Sequence, residues 1–301
     1  MSMNRLTTEE RARIVACLTE GCSIRSTCRL TGASKKAVTR LLCDLGAACI
    51  DFHNKHVHGI EARRVQADEL WCFVGAKAKT IEKRRDLRAR GGIGDAWTWL
   101  ALDADTKLAI NWLVGHKDAE SAAAFMEDLA GRVTCRMQLT TDGFKPYYIA
   151  VPRAFGDDID FARLVKKYGN PQPDGRIGTS QLECVACKRE AIIGNPDRAH
   201  ISTSFIERSN LTTRMASRRF TRMTNAFSKK WANLTYAVAL HYTFYNFCRV
   251  HSTLRITPAM AAGLSDHVWE LSELIGLLET RERAIIGTDG NRRGPYRKIS
   301  K

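Results

Sequence analysis

One ionisable side chain sits where it should be costly. Asp68 lies in the middle of RRVQADELWCFVG, a run otherwise rich in strand formers. A carboxylate inside a sheet loses the water that solvates its charge, so the position is tolerable only if something binds it. That stretch also marks a change of pattern, since strand-like runs recur after residue 63. AWTWLALDADTKLAINWLVG predicts a hairpin turning near Asp103–Lys107, and RMQLTTDG predicts a short strand ending at Asp142. Between them, DAESAAAFMEDLAGRV carries Phe125, Met126, Leu129 and Val133 at helical spacing. A second helical stretch is expected around Phe144–Phe155, followed by FARLVKKYG. Strands and helices alternating in this way predict an α/β domain over 64–250. Pro171, Pro173 and Pro196, with Gly175, Gly178 and Gly194, predict an irregular insertion at about 156–200. From Ser202 to Cys248 helices dominate.

Residues 1–50 predict a small all-α domain of three helices. Thr7 and Glu10 form a capping-box signature for the first, which carries Ile14, Val15 and Leu18 and stops at Gly21. Ser23 caps the second, which ends at Gly32, and Ser34 opens the third. The third turns Val38, Leu41 and Leu42 inward, leaving Lys35, Lys36, Thr39 and Arg40 outward. Two helices joined by a tight Gly turn, the latter basic at its start, fit a helix-turn-helix that reads DNA. Residues 51–63 show no sustained period and predict a linker, with His53, His56 and His58 solvated rather than holding a metal. Residues 251–301 predict a further helical segment and a basic tail.

The formal net charge of +15 points to a polyanionic partner, because each Lys or Arg laid on a phosphate releases condensed counterions. Ten cysteines stand mostly alone inside apolar runs, as small buried hydrophobes of a reducing compartment do. Cys184 and Cys187 have CxxC spacing with His200 downstream, but a structural zinc needs four ligands and there is no second pair. No stretch is apolar for the roughly 18 residues of a membrane span, and the first residues lack a signal peptide's apolar core. A cytoplasmic protein is expected.

Three acidic residues stand out by position. Asp68 is in the first strand, Asp142 ends another strand just before Gly143, and Glu207 lies early in a helix with Asn210 and Arg214 on the same side. Two Asp on adjacent strands and a Glu on a covering helix can hold a pair of Mg2+ ions through oxygen alone, a set suited to in-line phosphodiester displacement. Asp103 and Asp105 are better read as turn formers. Glu69 is expected to point to the opposite sheet face from Asp68 and so to stay out of the site.

Four segments in this order behind the three helices, QADELWCFVG, TTDGFKPY, STSFIERSNLTTRMASRRFTRMTNAFSKK and YNFCRVHSTLRITPAMAAG, resemble DDE transposases of the insertion sequence one family. The likeness runs to about Leu278. It implies an RNase H-like mixed sheet flanked by helices. It places the catalytic and metal-holding triad on Asp68, Asp142 and Glu207, with Asn210 in support, and Mg2+ as cofactor with Mn2+ able to substitute. Arg214, Arg218, Arg219, Arg222 and Lys229 would line the DNA side. Ser209 departs from the longer polar residue expected there. Tyr245, Asn246, Arg249 and His251 fit the family pattern, in a packing and helix-ending role. The implied activity is binding of double-stranded DNA at terminal inverted repeats, then strand cleavage and transfer by a homo-oligomer. A regulator that binds without cutting, and a nuclease acting on RNA–DNA hybrids, are the rival expectations.

Overall fold

The computed structural model describes residues 6–169, 183–221 and 224–288. Arg222, the tail at 289–301 and the Pro- and Gly-containing stretch at 170–182 lie outside the described residues. The order is α1 (Thr8–Thr19), α2 (Ile24–Thr31), α3 (Lys35–His56), β1 (Arg64–Val74), α4 (Ala78–Lys83), α5 (Arg85–Arg88), β2 (Gly94–Asp103) and β3 (Ala109–Gly115). Then come α6 (Ala119–Arg132), β4 (Gln138–Thr141), α7 (Tyr147–Phe155), β5 (Asp160–Gly169), β6 (Glu183–Ile193), α8 (Ser204–Ala216), α9 (Trp231–Phe247), α10 (Pro258–Ala261) and α11 (Leu271–Thr288).

The six strands form one mixed sheet in the order β3-β2-β1-β4-β5-β6. β1, β4 and β5 are parallel, while β2, β3 and β6 run antiparallel to their neighbours. Alternation along β1 sorts its side chains between two cores. Val65 and Ala67 face α6 and α7, among Trp99, Phe125, Leu129, Tyr147 and Val151. Leu70, Cys72 and Val74 face α8 and α9, among Ile206, Leu234, Val238 and Tyr242. Both faces are therefore covered by helices. At the β3 edge Asn246 substitutes for a neighbouring strand, since its side chain accepts from the Ala109 N–H and donates to the Ala109 carbonyl, both at 3.0 Å. Tyr245 donates to the Lys107 carbonyl, so Tyr245 and Asn246 both pack α9 onto the β2–β3 connection and the β3 edge.

The capping box at Thr7 and Glu10 and the Ser23 and Ser34 caps are all present, and Gly32 closes α2 at φ 73°. Where the sequence predicted a linker, α3 continues to His56. His53 is buried on it, with Nε2 3.0 Å from the Ile110 carbonyl oxygen. Arg132 explains the continuation: its guanidinium donates to the Val57 carbonyl (3.0 Å) and to Asn54 (2.8 Å), tying the end of α3 to α6. The expected boundary at 50/51 thus falls inside a helix. Ile14, Val38, Leu42 and Leu45 share one core with Ala239 and Leu240 of α9 and Leu274 and Ile275 of α11. The expected irregular insertion is largely a β-hairpin arm, because β5 and β6 pair from Phe161↔Ile193 out to Gly169↔Glu183. No described helix is long and apolar enough to cross a membrane.

Candidate active site at the open edge of β1

β4 pairs with β1 only from Arg64↔Gln138 to Ala67↔Thr141. Asp68 is thus the first residue of β1 beyond its neighbour, and Asp142 the first beyond β4. Asp142 is held there by an Asx turn, its Oδ1 accepting the Phe144 N–H at 2.9 Å. One carboxylate oxygen each of Asp68, Glu69 and Asp142 lie within 4.8 Å of one another. Alternation does send Asp68 and Glu69 to opposite faces, but it does not keep Glu69 out of the cluster, because β4 has stopped and the carboxylate that follows it comes within reach of both.

Three like charges this close are costly. Burial, and then Glu69 and Asp142, push the Asp68 carboxyl up to about 7. Burial and Asp142 likewise raise Glu69, opposed by Lys117, whose ammonium is 2.8 Å from its carboxylate, and by the Tyr147 hydroxyl, which donates to it. Burial alone would lower the Lys117 ammonium, yet Glu69, with Asp142 and Asp68 behind it, leaves it above the ordinary lysine value. A donor set made only of carboxylate oxygens, crowded enough to hold on to protons, is chemistry that a hard divalent cation satisfies.

α8 lies over this end of β1. Its start is anchored by Gln66, whose Oε1 accepts the backbone N–H groups of Phe205 and Ile206 at 3.0 Å each. One turn on, Asn210 donates from Nδ2 to Asp68 Oδ2 at 2.8 Å. Glu207 is three residues before Asn210, on the same side of the helix. Its exposed carboxylate is ion-paired with Lys166 of β5 and accepts from the Thr203 hydroxyl at 2.6 Å. The structure therefore gathers Asp68, Asp142 and Asn210, adds Glu69, and leaves Glu207 one helical turn away on another partner.

Of the residues expected to meet DNA, Lys35, Lys36 and Arg40 are exposed at the start of α3 and Thr39 is half-buried. The expected basic helical face beyond Arg214 is broken, because α8 ends at Ala216 and a short 3-10 turn, Arg218–Phe220, follows. Arg218 is exposed, whereas Arg219 turns in to donate to Ser228 Oγ at 2.8 Å, and burial lowers its pKa to about 10. Lys229 is exposed over the Phe227 ring. Cys184 and Cys187 bring their Sγ atoms to 3.5 Å, and neither belongs to any three-residue metal-ligating group among the described residues.

Sequence reasoning missed Glu69, Lys117, Tyr147 and one basic patch. Glu69 had a signal in its adjacency to Asp68; Lys117 and Tyr147, far away in the chain, had none. Residues 77–90, joining β1 to β2, hold seven Lys or Arg against two acids.

No protein-family model matches the chain, and no curated protein matches it. Among solved structures, a piggyBac transposase synaptic complex with hairpin DNA aligns over 98% of this chain and 79% of its own, at 9% identity and a TM-score of 0.37. A likeness of that degree carries no argument about this chain.

Proposed function

We propose that this protein is a DDE-type DNA transposase similar to the insertion sequence one family, with an RNase H-like catalytic domain. The observation that carries the reading is Asp68 and Asp142, from adjacent parallel strands, meeting in an oxygen-only cluster beneath a helix that touches Asp68 through Asn210. The strand order, with three parallel strands at the centre and the carboxylates at the carboxyl end of β4, also supports it.

In this reading Asp68, Asp142 and Glu207 hold the cation. Glu207 reaches the cluster by leaving Lys166, which an exposed side chain one turn from Asn210 can do by rotation. Paired Mg2+ ions, or Mn2+ in their place, would supply charge stabilisation for in-line displacement at phosphorus. Asn210 orients Asp68, and Lys117 with Tyr147 holds Glu69 against the cluster. Lys35, Lys36, Thr39 and Arg40 at the start of α3 read duplex DNA at the terminal inverted repeats as a helix-turn-helix would. Arg214, Arg218 and Lys229 add phosphate contacts, while Arg219, turned in onto Ser228, braces the segment behind them, and two element ends cut together call for a homo-oligomer on DNA.

The test is nicking of a labelled duplex carrying the ends of the encoding element, with Mg2+ or with EDTA. Mg2+-dependent nicking that disappears in Asp142→Ala supports the proposal. Tight binding without nicking in the unmutated protein would replace it with a DNA-binding regulator, the reading favoured by Glu207 resting on Lys166.

A further inference from the structure

The open edge of β1 leads away from the carboxylates along a row of aromatic rings. Among the described residues, β1 has no strand beside it on the β4 side from Asp68 until the Val74↔Ser228 bridge. Trp71 and Phe73 share the face of Glu69, with ring centroids 5.9 Å apart. Trp97 is the cross-strand partner of Trp71. The Val74↔Ser228 bridge brings Phe227 to 4.6 Å from Phe73. Rings in a row on a sheet are usually core, covered by a helix. These four are not: each is only half-buried, whereas Trp99, one pair further in, is fully covered by α6 and α7. A cleft of about 380 Å3 opens beside Trp71, Phe73 and Phe227.

Each part of the row carries an ammonium over its rings. Lys117 is 4.8 Å from the Trp97 ring and 4.7 Å from that of Phe144, beside Glu69. Lys77 is 5.7 Å from both Trp71 and Phe73, and Lys229 is 3.2 Å from Phe227. Lys77 opens the basic 77–90 connection. Half-exposed rings interleaved with cations offer faces for stacking bases and charges for the phosphates between them. Bases paired in a duplex are stacked on one another and cannot lie on such rings, so the ligand must be unpaired.

We propose that this edge is a track for single-stranded DNA, with bases stacked on Trp71, Phe73 and Phe227 and the strand leading to the carboxylate cluster. The inference rests on the transposase reading for its substrate and assigns the unpaired strand beside the reacting phosphate to a place on the protein. From Glu69 to Phe73 the track spans about 13 Å at the rise of a β-strand.

The experiment is equilibrium binding of the full chain, in EDTA, to a fluorescent single-stranded oligonucleotide and to the same strand with abasic positions. The intact strand is expected to bind on the order of 10- to 100-fold more tightly than the abasic one. Trp71→Ala and Phe227→Ala should each collapse that ratio, and Trp71→Phe, which keeps a ring, should retain most of it. Lys77→Ala should weaken both strands and flatten their salt dependence. Equal affinity for the two strands, or an unchanged ratio in folded Trp71→Ala and Phe227→Ala proteins, overturns the proposal. Duplex nicking, measured separately, tells the two claims apart. Base-dependent binding without nicking keeps the track and removes the nuclease, and nicking without base dependence does the reverse.

Discussion

Replacing Asp68 by Asn should make the metal-free protein more stable at neutral and alkaline pH. The folded carboxyl is held at about 7 by burial and by Glu69 and Asp142, against an ordinary value of 3.8. A folded value above the unfolded one means that the native state keeps a proton the unfolded chain has released. Stability is therefore lost as pH rises from about 4 to about 7. The difference of about 3 pH units corresponds to about 4 kcal/mol, and water still reaches part of the carboxylate, which brings the expected penalty to about 2–3 kcal/mol. The amide keeps the shape, and its oxygen can still accept from Asn210. In denaturant titrations in EDTA, Asp68→Asn should exceed the wild type by about 2–3 kcal/mol at pH 8 and by under about 0.5 kcal/mol near pH 4. Mg2+ should then reverse the order, since a ligand at 100 times its Kd adds about 2.7 kcal/mol to the protein that binds it. A variant less stable than the wild type at pH 8 in EDTA, or a wild type indifferent to Mg2+, refutes the claim that the cluster is a strained cation site.

Three further outcomes follow from other parts of the fold. Burial holds His53 at about 3 and His241 at about 4, below the ordinary 6.5, so each contributes stability above pH 6.5 that is lost as pH falls toward those values. Measured in the Asp68→Asn background, where the opposing carboxylate contribution is absent, stability should fall by about 2–3 kcal/mol per histidine by pH 4, and His241→Gln should flatten that limb. In Gly46→Ala the new methyl would stand 2.4 Å from Tyr236 Cβ and 2.6 Å from the Tyr236 carbonyl oxygen. α3 and α9 would have to part, and Tm should drop by the equivalent of about 1–3 kcal/mol even though Ala is the better helix former. Lys166→Ala removes the group that now holds Glu207, so the Mg2+ concentration for half-maximal nicking should fall; an unchanged or higher value would argue that Glu207 stays out of the metal site.

The sequence disclosed most where local physics decides alone. Thr7, Ser23, Gly32 and Ser34 marked helix ends because caps act within a few residues, and Asp68 stood out because a carboxylate in mid-strand is costly whatever the fold, with Asp142 marked by its place at the end of a strand just before Gly143. It disclosed least where partners are far apart in the chain. His53, His56 and His58 look like a polar linker until Ile110 and Arg132 arrive to bury His53 and finish α3. The 156–200 region reads as irregular because four of its Pro and Gly (Pro171, Pro173, Gly175 and Gly178) fall between two strands that pair with each other and two more (Gly194 and Pro196) follow directly after. Glu69 was set aside by a correct rule, alternation, applied without knowing that β4 stops at Thr141.

That early stop links the structural observations to the proposed chemistry. Had β4 run on beside β1 to Val74, Asp142 would lie within a ladder, Asp68 and Glu69 would be separated by the sheet, and Trp71 and Phe73 would have a strand beside them. Ending β4 after four residues leaves the next carboxylate free to meet both of its neighbours and opens the β1 edge to a ligand. The resulting like-charge crowding is only partly compensated within the protein, since Lys117 pairs with Glu69 and acts on Asp68 from further off, and the Asn210 amide and a backbone hydrogen bond leave the Asp68 carboxyl raised. A charge deficit at one end of an aromatic, lysine-studded edge is what a cation-dependent reaction on a polyanionic strand requires: the cation neutralises the carboxylates, and the strand's phosphates answer the lysines.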